Sequence, residues 1–379
     1  MSHGQKIGIE LFAGCGGLST GFLDAGLHIA AGFEIDRRAV DAFCYNHEYR
    51  GSKGFVADLA TASGSELLEL SGLSSIDFLI GGPPCQPFSI VGKRRGAADE
   101  RADLMGHYVR LVGELRPKAI VLENVPNLAK LGGGEIFEQT MRGLSNLGYG
   151  IWHDVLSAAD FGVPQARKRL IVIGILGRKN VRGPTATHGP NLQPYTTTKQ
   201  AIGDLPDAGE FGSTGIHNHE PTMHSADMVE RFRSLQQGRR ERGSFHDRLH
   251  PDRLSYTLRA GSGNFSPLRP IHYKYDRVVT VRESARLQGF SDDFIWPDRI
   301  PRLQQYRQVG NAVPPPLAAA IAQCVAEQMR WTLSPRRFKG DPTNRAAPMT
   351  MSDEERVAQR KARMRGASLG KVALASAAE

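Results

Sequence analysis

The chain has 379 residues, 40% of them hydrophobic and 23% charged, enough for one large core and a second, smaller unit. Its formal charge of +9 suits a polyanionic partner such as nucleic acid, although a basic tail on a solvated surface meets the same number. Four cysteines, at 15, 44, 85 and 324, form no CxxC pair, which excludes a disulfide framework, argues against a structural zinc site and suits a reducing, cytoplasmic compartment.

No leader or membrane span is expected. Met1 to Lys6 is short and polar, and the apolar stretch from Leu11 to Phe33 is full of glycine and broken by Asp24 and His28. Lys6 to Leu11 reads as a short buried strand, followed by the glycine turn FAGCGG and a helix through Leu18 and Phe22 to Ala25. His28 to Phe33 is a second strand, ending at Glu34 and Asp36, and Phe55 to Ala57 a third, ending at Asp58. Ile76 to Ile80 is an apolar run that stops at GGPPC, as a buried parallel strand would. Leu104, Tyr108, Leu111, Val112 and Leu115 lie at helical spacing and Pro117 closes that helix. Ala119 to Leu122 is a strand ending at Glu123-Asn124-Val125, and Arg169 to Leu176 another. This alternation predicts an α/β protein with a doubly wound, mostly parallel sheet.

After Gly177 the periodicity fades up to about Asp276, and helical spacing returns at Leu317, Ile321, Val325 and Met329. Such long irregular stretches are functional or disordered. From Pro335 the chain carries ten Lys/Arg against five acids and little that packs; a disordered basic tail is expected, with one marginal helix capped by Ser352 and Glu355. The expected division is 1–177 plus 303–332 for the sheet unit, 178–302 for a smaller irregular unit and 333–379 for the tail.

Two features carry chemistry. A glycine turn lets the backbone approach a ligand, and an acid ending the next strand can grip ribose hydroxyls; FAGCGG with Glu34 lacks the G-x-G-x-x-G phosphate cradle and so fits a nucleoside-type cofactor. Asp58 is a second acid at that sheet edge, or else a local helix cap. In GGPPCQPFS, prolines on both sides hold Cys85 on a stiff loop, which speaks against an ordinary buried thiol. A thiol is only a few per cent thiolate at neutral pH, so its target needs activation from elsewhere, and Glu123 at the end of the next strand is available.

FAGCGG, GGPPCQPFS, Glu123-Asn124-Val125, Gln165-Ala166-Arg167-Lys168-Arg169, Arg282 to Phe290 and Gly310-Asn311-Ala312-Val313-Pro314 together resemble, in order, the signature blocks of cytosine-5 DNA methyltransferases. The resemblance implies a Rossmann-type methyltransferase sheet with a smaller target-recognition domain, S-adenosylmethionine as cofactor, duplex DNA as partner and a cytosine flipped from the stack. It implies that Cys85 attacks C6, that Glu123 binds N3 and the exocyclic amine, and that Arg167 and Arg169 steady the flipped base and the catalytic loop, which matches Ser89 to Asp103. Phe12, Gly14, Gly16, Gly17, Glu34, Ile35, Asp58, Leu59, Pro84, Leu104, Asn311 and Ala312 match positions around the cofactor, and Glu283 and Arg286 fall in a largely structural block. Cys15 replaces a bulkier apolar residue, and Gly289-Phe290-Ser291 lacks a proline often found there.

Arg239, Arg240, Arg242, Arg248, Arg253, Arg259 and Arg269 are candidates to read guanines or grip phosphates, and Arg259 to Asn264 reads as a loop at the groove or a plain surface turn. A monomer is expected, with a cognate restriction endonuclease, if one exists, acting separately. Two rival readings are a tRNA methyltransferase of the same family and a DNA-binding regulator with a dead site. The long segment after Gly177 favours DNA over tRNA, and intact Cys85, Glu123 and Arg167 oppose the regulator.

Overall fold

The computed structural model describes residues 5–84, 103–209, 214–241, 245–261, 268 and 270–334. Cys85, nearly all of the segment expected to close over DNA, Arg242, Arg269, the second half of the Arg259–Asn264 loop and the tail from Pro335 lie outside the described residues.

A seven-stranded sheet forms the frame, in the order β3-β2-β1-β4-β5-β7-β6 among the described residues. β1 (Ile7–Leu11), β2 (His28–Glu34), β3 (Lys53–Val56), β4 (Phe78–Gly81) and β5 (Ala119–Asn124) run parallel. β7 (Lys168–Leu176) enters antiparallel between β5 and β6 (Tyr149–Ser157). The mostly parallel sheet matches the sequence reading; β6 does not appear in it. Only Tyr149 of that strand is fully buried, so its sequence lacks the apolar run that exposes the central strands.

Helices cover both faces, as parallel strands joined by crossovers require. α1 (Gly17–Ala25) and α10 (Pro315–Met329) pack Leu18, Phe22, Leu317, Ile321 and Val325 against Phe78, Ile80 and Val121. α3 (Gly64–Ser71), α4 (Leu104–Leu115) and α5 (Glu135–Asn146) pack Leu67, Tyr108, Leu111, Val112 and Leu144 against Ile9, Leu11, Leu79 and Leu122. α10 is long and apolar, and its buried face against the sheet makes it a core helix. α2 (Arg37–His47) starts on the Asp36 side chain, which accepts from Arg38 N at 2.9 Å.

Residues 178–301 hold little regular structure: α6 (Thr198–Ile202), α7 (Ala226–Ser234), two-residue strands β8 (Asp247–Arg248) and β9 (Pro270–Ile271), and α8 (Val281–Gln288). Buried polar groups order the rest. Arg277 meets Glu283 with two nitrogens, both at 2.9 Å, and Arg282 donates to the carbonyls of His217, Ser291 and Phe294. Its apolar core around Trp296, Phe294 and Leu287 continues into Ala42, Cys15, Tyr306 and Val309, so it shares a core with α2 and with α9 (Arg302–Asn311). The residue at which the chain returns to the sheet unit is therefore a change of pattern, not a gap in packing.

Candidate active site

A cavity of about 870 Å³ opens at the carboxyl ends of the parallel strands, where ligands bind in sheets of this kind. Its first end is built by the turn after β1 and by the ends of β2 and β3. Phe12 and Gly14 both take φ of +55°, and Gly16 takes +91°. A Cβ on Gly14 would meet nothing within 4 Å, so the turn leaves its backbone open to a ligand. Glu34 is fixed rather than free: Gly14 N donates to Oε2 at 3.0 Å, and Ile35 N and Asp36 N donate to Oε1 at 2.8 and 3.0 Å. Asp58 lines the cavity and accepts from Ala60 N at 3.0 Å within a turn; it does not cap the following helix α3, whose N-cap is Ser63.

The second end lies at β4 and β5. Arg169 Nε meets Glu123 Oε1 at 2.8 Å, with both side chains nearly nine-tenths buried. A Cβ on Gly82 would stand 3.1 Å from Glu123 Oε2, so the strand-end loop packs close on this carboxylate. Asn124 donates Nδ2 to the Pro83 carbonyl at 2.8 Å and so ties down the loop that leads to Pro84 and Cys85. Pro83 and Pro84 line the cavity. A carboxylate oriented by a guanidinium can accept from an amine and from a protonated ring nitrogen.

Between the two ends lies Glu10, 2% exposed, with Oε2 accepting from Ser19 N at 3.0 Å and from the Ser19 hydroxyl. It serves as a cap for α1, whose own N-cap is Gly16 with no side chain to offer. Burial above all, with the nearby Glu34 and Glu123 and against the Ser19 bonds, pushes its carboxyl up to about 8. An acid inside the apolar strand KIGIEL was the available sequence signal for this residue. The remaining wall is α9, which turns Gln304, Arg307, Gln308 and Asn311 to the cavity at helical spacing, beside Ala260 and Gly261. A Cβ on Gly310 would lie 2.6 Å from Arg259 C and 2.7 Å from Ala260 N, so only glycine lets this helix rest on that segment.

Of the residues expected around the cofactor, Phe12, Gly14, Gly17, Glu34, Ile35, Asp58, Leu59, Pro84, Leu104, Asn311 and Ala312 line this one cavity. Gly16 does not; a Cβ there would strike His47 at 2.3 Å, so it serves packing. Arg167 differs from the expectation of a base-steadying group. It is fully buried, and its guanidinium donates to the carbonyls of Leu258, Gly310 and Ala312 at 3.2, 3.0 and 3.1 Å. Desolvation and neighbouring Arg169 hold its pKa well below the usual arginine range. Its described partners make it a clamp between the sheet unit, residue 258 and the end of α9. Gln165 works beside it, donating to Leu287 O and Gln288 Oε1 and accepting from Leu258 N.

The candidate recognition arginines divide likewise. Arg248 is committed internally, to Phe232 O at 2.6 Å and Asp276 at 2.9 Å, and Arg240 is paired with Asp247 at 2.6 Å. Arg239, Arg253 and Arg259 are exposed. Glu283 is the buried partner of Arg277, and Arg286 pairs with Asp204 and Asp292, which fits a structural block.

A family model described as C-5 cytosine-specific DNA methylase matches residues 7–327. Type II methyltransferase M1.HphI of Haemophilus parahaemolyticus is 37% identical over 328 residues, 84% of this chain and 86% of that protein. Type II methyltransferase M.XorII of Xanthomonas oryzae pv. oryzae is 34% identical over 375 residues, 86% of each chain. Among solved structures, a prophage-encoded protein of E. coli described as a DNA modification methyltransferase superposes with a TM-score of 0.72 at 28% identity, covering 86% of this chain and 100% of that one. The Dnmt2 methyltransferase of S. pombe, with a TM-score of 0.64, 17% identity and coverage of 86% and 99%, shares the fold.

Proposed function

This chain belongs to the C-5 cytosine-specific DNA methylase family and is a DNA cytosine-5 methyltransferase, and from that premise we propose that Cys85, Glu123 and Arg169 carry its chemistry on a cytosine flipped from the duplex. The observation that supports this most is the Glu123–Arg169 pair, 2.8 Å apart on the cavity wall beside Pro83 and Pro84.

Cytosine C5 is a weak nucleophile. S-Adenosylmethionine, the methyl donor the family implies, supplies an electrophilic methyl group when bound. The open glycine turn, the fixed Glu34 carboxylate and the exposed Asp58 fit its adenosine end. Glu123, held by Arg169, engages N3 and the exocyclic amine of the base. The Cys85 thiolate then adds to C6 and raises electron density at C5, which takes the methyl group. A proton leaves C5 to a base, the S–C6 bond breaks, and the thiolate is regenerated. Attack on C6 comes from above the ring plane, which stacking blocks, so the base must leave the helix at an expense of a few kcal/mol. Residues 178–276 are the proposed target-recognition region, with Arg239, Arg253 and Arg259 exposed on it. The type II relatives support DNA as the substrate; a monomer working in the cytoplasm on nucleoid DNA, with any restriction endonuclease acting separately, is the arrangement proposed with it.

DNA carrying 5-fluorocytosine at the target tests this. Fluorine cannot leave C5 as a cation, so the thiolate is not expelled and protein and DNA stay joined. The adduct should survive denaturing electrophoresis, require S-adenosylmethionine and be absent in Cys85→Ala. An adduct with fluorinated tRNA and none with duplex DNA would overturn the assignment of substrate; no adduct on DNA containing the target would overturn the mechanism.

A further inference from the structure

The proposed recognition region reaches the cavity along one short segment, residues 255–261, and that segment is held at several points. Ser255 N donates to Pro164 O at 3.0 Å, and Ala166 N donates to Ser255 O at 2.9 Å. The Thr257 hydroxyl donates to Ala166 O at 2.6 Å, and Arg167 donates to Leu258 O at 3.2 Å. Gly310 then rests on the peptide between Arg259 and Ala260, with no room for a methyl group. Ser255 and Leu258 are buried, while Tyr256 and Arg259 are exposed. Tyr256 is engaged, its hydroxyl donating to Gly238 O at 2.8 Å. Arg259 is not: among the described residues its guanidinium has no ion pair and no hydrogen bond.

This sets Arg259 apart from the other arginines of the region. Arg240 and Arg248 are neutralised by Asp247 and Asp276. Arg239 and Arg253 are exposed, but of the three exposed arginines Arg259 is the one whose next two residues, Ala260 and Gly261, line the cavity. Its exposed side chain therefore stands at the mouth. When a cytosine turns into the cavity, the base pairs that flank it stay stacked outside, at that mouth. A phosphate contact asks only for positive charge within reach, whereas reading a base asks for a donor in a fixed place. The anchored backbone at 257–260 supplies the fixed place. The planar fork of a guanidinium matches the two acceptors, O6 and N7, that guanine presents in the major groove.

We infer that Arg259 reads a guanine in a base pair that flanks the flipped cytosine, donating to O6 and N7, and so sets one position of the target sequence. This rests on the reading that the cavity receives the cytosine and that residues 178–276 face DNA. The test uses the full chain, Arg259→Ala and Arg259→Lys on duplex DNA randomised around a cytosine, with methylated sites read by bisulfite sequencing. The parent should demand guanine at one flanking pair. Both variants should lose that discrimination by about 10- to 100-fold and keep the preferences at other positions. Lysine keeps the charge but not the fork, so it should fail with alanine; a phosphate contact would be rescued by it. Binding measured against salt concentration should keep the parent's slope in both variants. Weakening that is uniform over all sequences, with the slope reduced by about one in Arg259→Ala and restored by lysine, would make Arg259 a phosphate grip and overturn the inference. So would relaxation at a more distant pair, or no change in sequence choice. Arg239→Ala and Arg253→Ala separate the two readings. If either alters DNA binding while Arg259→Ala alters nothing, only the inference falls. If none of the three alters binding or sequence choice, the recognition region is misplaced as well.

Discussion

The two long walls of the cavity are made by different means. The sheet-edge wall is local: each group sits on or next to the end of a strand, and its geometry follows from short connections such as Gly14 N to Glu34 or Asn124 to Pro83. The α9 wall is assembled across the chain. Arg167 reaches carbonyls more than 90 residues away, Gly310 rests on residues 259 and 260, and the recognition region closes its core on Tyr306 and Val309. On the proposed function, the first wall carries the groups that make and break bonds, and the second joins the cofactor site to the proposed recognition region. A substitution on one should therefore read out differently from a substitution on the other.

The largest effects belong to the reacting end. Cys85→Ala should abolish methyl transfer and leave DNA binding intact. Glu123→Gln should lower kcat by about 100- to 10,000-fold, because activation at N3 matters most in the transition state, while cofactor affinity in calorimetry stays within a few-fold. A Glu123→Gln enzyme that turned over normally but lost cofactor would assign this residue to the wrong end of the cavity.

Gly310→Ala strikes the joint between the walls. Its methyl group cannot be accommodated against backbone atoms at 2.6 and 2.7 Å without moving α9 or residues 259–260. A loss of about 1–3 kcal/mol in thermal or denaturant unfolding is expected, together with weaker binding of both cofactor and DNA. Wild-type behaviour in both would mean that the two walls are not coupled through this contact.

Glu10 offers a pH test. Burial raises its carboxyl from 4.5 to about 8. Between those values the unfolded chain has released the proton and the folded chain has kept it. The stabilisation is therefore complete below about pH 4.5, declines as the pH rises and is lost once the pH passes about 8. The whole change is on the order of 5 kcal/mol. Glu10→Gln, measured by urea unfolding from pH 5 to 9, should flatten this part of the profile. An unchanged slope would assign the pH dependence to other groups.

Glu34→Ala should have the smallest energetic effect, roughly 1–2 kcal/mol in S-adenosylmethionine affinity, with DNA affinity nearly unchanged. Unaltered cofactor binding by calorimetry would remove the ribose role from this acid and leave it as the brace of the glycine turn.

The sequence by itself determined the sheet edge. A buried parallel strand has to be a short apolar run, and a strand that ends at a ligand site has to end in a glycine turn, an acid or a stiff loop. Glu34, Asp58, Glu123 and Cys85 could therefore be named from neighbours within a few positions. Tertiary structure alone decided the rest. Arg167 and Arg169 differ by two positions in one strand-entry segment, yet one is a fully buried clamp and the other a partner of Glu123. Arg239 and Arg248 look alike as charges, yet Arg248 is committed to Asp276 and Arg239 is exposed. The physical reason is common to these cases. Strand and turn formation depend on local sterics and apolar pattern, which are written at short range. The partner of a long polar side chain is chosen by what the fold carries to it from tens or hundreds of residues away.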